Sequence, residues 1–166
     1  MDKLTLEHLA PYLPYELKVR SNHGTIYKMG LYNDMKGSGI ETRTIDQCLD
    51  MKPLLRPLDQ LTKEIEHKGK LFVPIIELFN SWYGAEPDQI ILADGEGPFY
   101  GFDGYLDKTR SSIFSFYYNS VLQSFIFLEN SKPRKRVRQR PMFQKLVEWH
   151  FDLDGLIDKE LAIPIS

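Results

Sequence analysis

The sequence predicts an α+β domain, an antiparallel sheet of hairpins packed against a few helices. Three observations carry this. Residues 15–20 alternate apolar and polar, and Asn22, His23 and Gly24 then supply a turn before an apolar return. Residues 113–128 are dense in aromatics that alternate on either side of Asn119 and Ser120. Near the end, Met142, Leu146 and Trp149 fall at i, i+4 and i+7, the spacing of one helix face.

The elements follow in order. Residues 5–10 form a helical turn capped by Thr5, with Leu6 and Leu9 inward, and Pro11 and Pro14 stop it. Residues 15–20 and 25–32 pair as a hairpin. Residues 33–53 hold Gly37 and Gly39 and no sustained period, so they read as loop. Residues 54–57 are short and extended, because Pro57 biases its predecessor away from helix. Leu58, Leu61 and Ile65 then share a helix face, and Gly69 ends that helix. Pro74 opens a second helix that runs to about Tyr83, with Gly84 as the stop.

Residues 89–93 are a short apolar strand. Residues 94–104 contain four glycines and a proline, which predicts a turn or an irregular hairpin. Residues 113–128 also offer helical spacing through Phe114, Tyr118, Val121, Phe125 and Leu128. Their aromatics and the central Asn119 and Ser120 favour two strands instead. From Pro141 a helix runs until residues 152–155, and residues 156–161 add a short turn. Trp149, Leu146, Phe143, Leu61 and Ile65 are the expected core, and the helices near 58–68, 74–83 and 141–151 are expected to cover one face of the sheet.

With 166 residues, 42% of them apolar and 27% charged, the chain suits one domain spanning 1–166. At that size folding hides roughly 70% of the unfolded surface. The 13% aromatic content sends rings into the core. Cys48 is the only cysteine, which excludes an internal disulfide and fits a reducing compartment. A plain thiol is the simpler reading of Cys48, against a nucleophile that would need a base beside it. The first residues lack a signal-type apolar run, and no segment approaches the roughly 20 apolar residues that span a bilayer. These features predict a cytoplasmic protein with no membrane partner.

No catalytic, cofactor or metal pattern emerges. The glycines at 95, 97 and 101 are spaced one residue too far for a dinucleotide loop, and Asp94, Glu96 and Pro98 oppose a pyrophosphate there. Asp152, Asp154 and Gly155 resemble the middle of a calcium loop. His150 and Leu161 would then stand where that loop needs carboxylates, so Asp152 or Asp154 is read as a turn cap. His8, His23, His67 and His150 have no partners at metal-binding spacing, and His150 reads as a core histidine with one satisfied hydrogen bond.

The segment 132–140 differs in kind. Lys132, Arg134, Lys135, Arg136, Arg138 and Arg140 are six cations with no acid among them. Without them the 21 basic residues fall to 15 against 23 acids, a formal charge of −8. Such asymmetry suits contact with nucleic acid or an acidic protein partner. Phe125 and Phe127 upstream would supply stacking faces if exposed. The plainest alternative is a solvated loop over the domain's own acids.

Three blocks, beginning at Leu4, Pro53 and Lys145, resemble a family of short uncharacterised proteins encoded largely in prophages and mobile elements of gut-type bacteria. Trp149, His150, Phe151 and Asp152 form the most specific part. The blocks cover about a quarter of the chain, and the basic run lies outside them. The resemblance implies a cytoplasmic protein of phage origin and supplies no activity, cofactor or catalytic residue. The expected function is thus a non-enzymatic binding module of a mobile element. The alternatives are a nucleic-acid-binding protein using 132–140, and an enzyme whose site the sequence conceals.

Overall fold

Residues 3–31, 40–93, 98–106, 108–133 and 137–165 are described by a computed structural model. They form an α+β fold in two compact units, one built from residues 1–57 and 146–166 and the other from 58–145.

The first unit begins with helix α1 (Leu6–Leu9), where Thr5 and His8 form a capping box. Leu9 is buried, whereas Leu6 faces solvent. Pro11 and Pro14 do not end the helical path as expected: residues Ala10–Tyr15 continue it as a 3-10 helix. That tighter spiral tolerates a missing N–H in its first turn, and it stops at Glu16, which is left-handed at φ 54°. Strands β1 (Lys18–Arg20) and β2 (Ile26–Gly30) form the expected hairpin. Within the stretch read as loop, Thr42–Thr44 is strand β3, parallel to β2, and Ile45–Cys48 is helix α2. Residues 33–39 of that stretch, and residue 32 of the expected strand before it, lie outside the described residues. A second capping box, Thr44 with Gln47, starts α2 and was the local signal available. Strand β4 (Lys52–Leu55) pairs antiparallel with β1.

In the second unit, the helix expected over 58–68 is absent. Leu58–Thr62 is one 3-10 turn, followed by hairpin strands β5 (Ile65–His67) and β6 (Lys70–Phe72). Lys68 and Gly69 are both left-handed, at φ 52° and 79°, as a tight two-residue hairpin turn requires. Leu61 and Ile65 are nonetheless buried as expected. Helix α3 spans Pro74–Tyr83 and ends on left-handed Gly84, matching its sequence signals.

A five-stranded antiparallel sheet follows: β7 (Gln89–Leu92), β8 (Phe99–Tyr105), β9 (Ile113–Asn119), β10 (Ser124–Glu129) and β11 (Lys132–Pro133), in the order β11-β10-β9-β8-β7. The hairpin reading of 113–128 holds, since β9 and β10 pair from Ser124 opposite Asn119 to Glu129 opposite Phe114. Of the two readings of 94–104, a turn or an irregular hairpin, the hairpin fits: residues 99–104 belong to β8, which returns antiparallel to β7, while residues 94–97 lie outside the described residues. One face of the sheet is sealed by aromatic packing. Phe79 of α3 stacks on Phe114 at 4.8 Å and meets Phe102 and Phe116 edge-on at 5.4 and 5.5 Å. These offset and edge-on contacts suit ring quadrupoles better than face-to-face sandwiches.

Helix α4 (Gln139–Glu148) begins in the second unit, where Phe143 packs edge-on against Phe125, and its last turn belongs to the first. It ends earlier than expected, because His150 turns left-handed at φ 63°. Leu146 and Trp149 are buried, while Phe143 is only partly so. In the first unit the chain then runs alongside β4. Arg56 N–H donates to the His150 carbonyl and Asp152 N–H to the Arg56 carbonyl, at 2.8 and 2.9 Å. Tyr12 Oη donates to the Phe151 carbonyl at 2.6 Å. Strand β12 (Ile163–Pro164) completes a mixed sheet ordered β12-β4-β1-β2-β3. Leu9, Tyr12, Leu17, Val19, Met29, Cys48, Leu55, Val147 and Leu156 form this unit's core.

Asp152 caps the following turn, as expected of it or Asp154: its carboxylate accepts from the Leu156 and Ile157 N–H groups at 2.9 and 2.8 Å. It is almost fully buried. Replacing it with alanine leaves two donors unmet, and we expect Asp152→Ala to lower unfolding free energy by about 1–3 kcal/mol in urea titrations. Asp154→Ala, at an exposed neighbour, should change it little.

Candidate binding surface

Burying one face of the second unit's sheet turns every alternate residue of β8 and β9 the other way. Register places Phe99 beside Asn119, Gly101 beside Tyr117, Asp103 beside Ser115, and Tyr105 beside Ile113. Ile91 of β7 extends the Asp103 row, and Ile126 and Leu128 of β10 continue the Tyr117 and Ser115 rows. This face keeps large apolar groups in water, with Ile91 60%, Phe99 47% and Ile113 43% exposed.

At its centre Tyr117 leans across β8. A Cβ on Gly101 would lie 2.4 Å from Tyr117 Cδ1 and 2.1 Å from the Phe116 carbonyl oxygen, so only glycine admits the ring here. The Tyr117 hydroxyl donates to Asp103 Oδ1, which also accepts from Ser115 Oγ at 2.6 Å. Burial and the Asp103 hydrogen bond raise the Tyr117 pKa, the Asp103 charge adds to this, and the Ser115 hydrogen bond opposes it. The phenol therefore stays neutral and fixed. Phe99 stands edge-on to the ring at 6.4 Å, and the Arg110 guanidinium sits 5.8 Å from the Tyr105 ring centre.

The basic segment starts on the edge of this same sheet. Lys132 lies on β11, exposed, and pairs opposite Glu129. Arg134, Lys135 and Arg136 lie outside the described residues. Arg138 and Arg140 are exposed before and within the first turn of α4. Gln139 between them grips β10 as a missing strand would: its Oε1 accepts from Phe125 N–H at 2.7 Å and its Nε2 donates to the Phe125 carbonyl at 2.8 Å. Both ends of the run are thus tied to β10. Among the described residues, no carboxylate comes within ion-pair distance of Lys132, Arg138 or Arg140. Phe125 and Phe127, stacking faces only on condition of exposure, are buried on the sealed face. On the opposite face Phe99 is exposed and Tyr117 half-buried. The signal for them was the two-residue alternation of Phe99, Gly101, Asp103 and Tyr105, hidden by reading glycine as turn.

The remaining candidates do not converge on one site. Cys48 is fully buried, and burial raises its pKa to about 11 against a smaller lowering by Arg43. Its thiolate is scarce at neutral pH. His150 Nε2 lies 2.9 Å from the Tyr15 carbonyl, which makes it a tie within the first unit. A shallow depression of about 310 Å³ beside Lys3, Asn22, Asp50 and Lys52 mixes both charges. Among the described residues no group of three His, Cys, Asp or Glu side chains could hold a metal ion. No helix among them is long and apolar enough to cross a membrane. No family model, curated protein or solved structure matches the chain.

Two outcomes follow from this geometry. Gly101→Ala forces Tyr117 and the neighbouring strand apart, and should destabilise by about 1–3 kcal/mol, more than Gly84→Ala, where only left-handed backbone is strained. Denaturant unfolding of both variants checks the order. Cys48 gives a pH signature. Below pH 9 it is a thiol in both states; between 9 and about 11 only the unfolded chain ionises, so stability falls across that window. The stability of Cys48→Ala relative to the parent should therefore improve from pH 9 to 11.

Proposed function

We propose that the chain is a non-enzymatic binding module of a mobile element, and that its second unit binds single-stranded nucleic acid. The carrying observation is Tyr117, held over Gly101 by Asp103 on an open sheet face whose edge strand begins a six-cation segment. Bases stack on a fixed ring whatever their identity, and phosphates run beside cations. Phe99 and Tyr105, with Arg110 over the latter, extend the aromatic surface. Arg138 and Arg140 stand at the positive end of α4, where a bound phosphate would turn an unfavourable placement into a favourable one. The resemblance of the three sequence blocks to prophage-encoded proteins supports the mobile-element setting.

An acidic protein partner is the competing occupant of the same cations. It needs no stacking surface, so Tyr117 separates the two. Fluorescence anisotropy with labelled single- and double-stranded DNA and RNA, at two salt concentrations, provides the test. Single strands should bind more tightly, with affinity that falls as salt rises by a log–log slope of about −0.7 per phosphate contacted. Changing Arg134, Lys135, Arg136 and Arg138 to alanine should flatten that slope. Tyr117→Ala should cost about 1–3 kcal/mol of binding at unchanged slope. Salt-insensitive binding, or none to any strand, would remove this reading.

A further inference from the structure

The sheets of both units end in edges whose backbone groups invite another strand, and proteins ordinarily blunt such edges. Three of the four edges of the five-stranded sheets are blunted here. β11 is two residues long and consists of Lys132 and Pro133. β12 is also two residues and ends in Pro164. β3 is three residues, runs directly into α2, and carries Arg43 over the Tyr27 ring.

β7 is different. It has four residues, Gln89, Ile90, Ile91 and Leu92, with no proline, lysine or other charge, and Ile91 and Leu92 are exposed. Its hydrogen bonds show which groups are open. Ala93 N–H donates to the Gly101 carbonyl at 2.9 Å, so in the antiparallel pairing with β8 the odd-numbered residues face β8. The N–H and C=O groups of Ile90 and Leu92 consequently point away from the sheet. The flanks are acidic: residues 86–96 contain Glu86, Asp88, Asp94 and Glu96 and no base. Two copies paired in parallel through β7 would bring their Glu86 and Asp88 side by side, which disfavours that self-association. A strand with a cation at the end that meets them would be matched instead.

We propose that the free edge of β7 accepts an extended peptide strand from a protein partner, one with an apolar centre flanked by lysine or arginine. The added strand hydrogen-bonds to Ile90 and Leu92, and its cationic end lies toward Glu86 and Asp88, which precede β7. The proposal uses the outward backbone groups of β7 rather than the Tyr117 face that Ile91 shares, and it does not depend on nucleic-acid binding.

The test uses two synthetic peptides with the same Val-Thr-Val-Thr-Val centre, one ended by lysines and the other by glutamates. Isothermal titration of the full chain should show the lysine peptide binding at least roughly tenfold more tightly. Glu86→Lys combined with Asp88→Lys, at exposed positions, should reverse that preference. Leu92→Pro removes an outward N–H while sparing the bonds to β8, and should abolish binding. Its fold is checked by circular dichroism, and the charge-reversed variant carries the test if it unfolds. Equal affinity for both peptides, no binding of either, or lysine-peptide binding indifferent to a folded Leu92→Pro would each overturn the proposal. A monomer–dimer equilibrium in sedimentation weakened by a folded Leu92→Pro would assign the edge to a second copy and overturn it as well.

Discussion

Phe79 is fully buried, and its ring touches Phe102, Phe114, Phe116 and Phe127 from three successive strands. Trp82 adds contacts to Phe116 and Phe127 from the next turn of the same helix. Side chains in a strand alternate strictly, so every ring drawn toward this helix sends its neighbours outward. Phe102 inward means Gly101 and Asp103 outward; Phe116 and Tyr118 inward mean Tyr117 outward. The surface proposed for binding is thus the obligatory reverse of the core. Its aromatic character follows from a sequence in which both alternate sets are rich in rings.

Tyr117 is half-buried on the outward face and held in place. Its hydroxyl shares Asp103 with Ser115, and the absent side chain at 101 gives its ring room. A ring with few accessible rotamers loses little entropy when something stacks on it. Asp103 places a negative charge within the surface, which favours bases over phosphates at that point. The phosphates are left to the cations at the β11 edge and to Arg110.

The first unit is organised by a different constraint. Residues 150–152 run beside Arg56 as a parallel bridge, and Tyr12 and His150 add bonds between the amino-terminal turn and the same stretch. Asp152 closes the turn that follows. The resemblance block around Trp149 to Asp152 therefore coincides with the place where the two ends of the chain are joined. A structural role accounts for these residues.

Local rules were legible wherever one short segment held both the signal and its partner. Pro74 and Gly84 bounded α3, Asn119 and Ser120 divided β9 from β10, and the apolar spacing after Pro141 marked α4. The chain's charge asymmetry was likewise complete in the sequence, because charge needs no neighbour to be counted. Partners distant in sequence decided the rest. Residues 58–68 carried helical spacing, yet Lys68 and Gly69 turned them into a 3-10 segment and a hairpin packed as sheet. Glycines 101 and 104 signalled a turn or an irregular hairpin until the Tyr117 and Phe114 rings and the Phe116 and Gln89 carbonyls of the neighbouring strands left no room for a Cβ. Phe125 and Tyr117 were equally available to solvent on paper. Which of them is buried is set by the side of the sheet that α3 and α4 cover, and a period of two gives the alternation without naming the covered side.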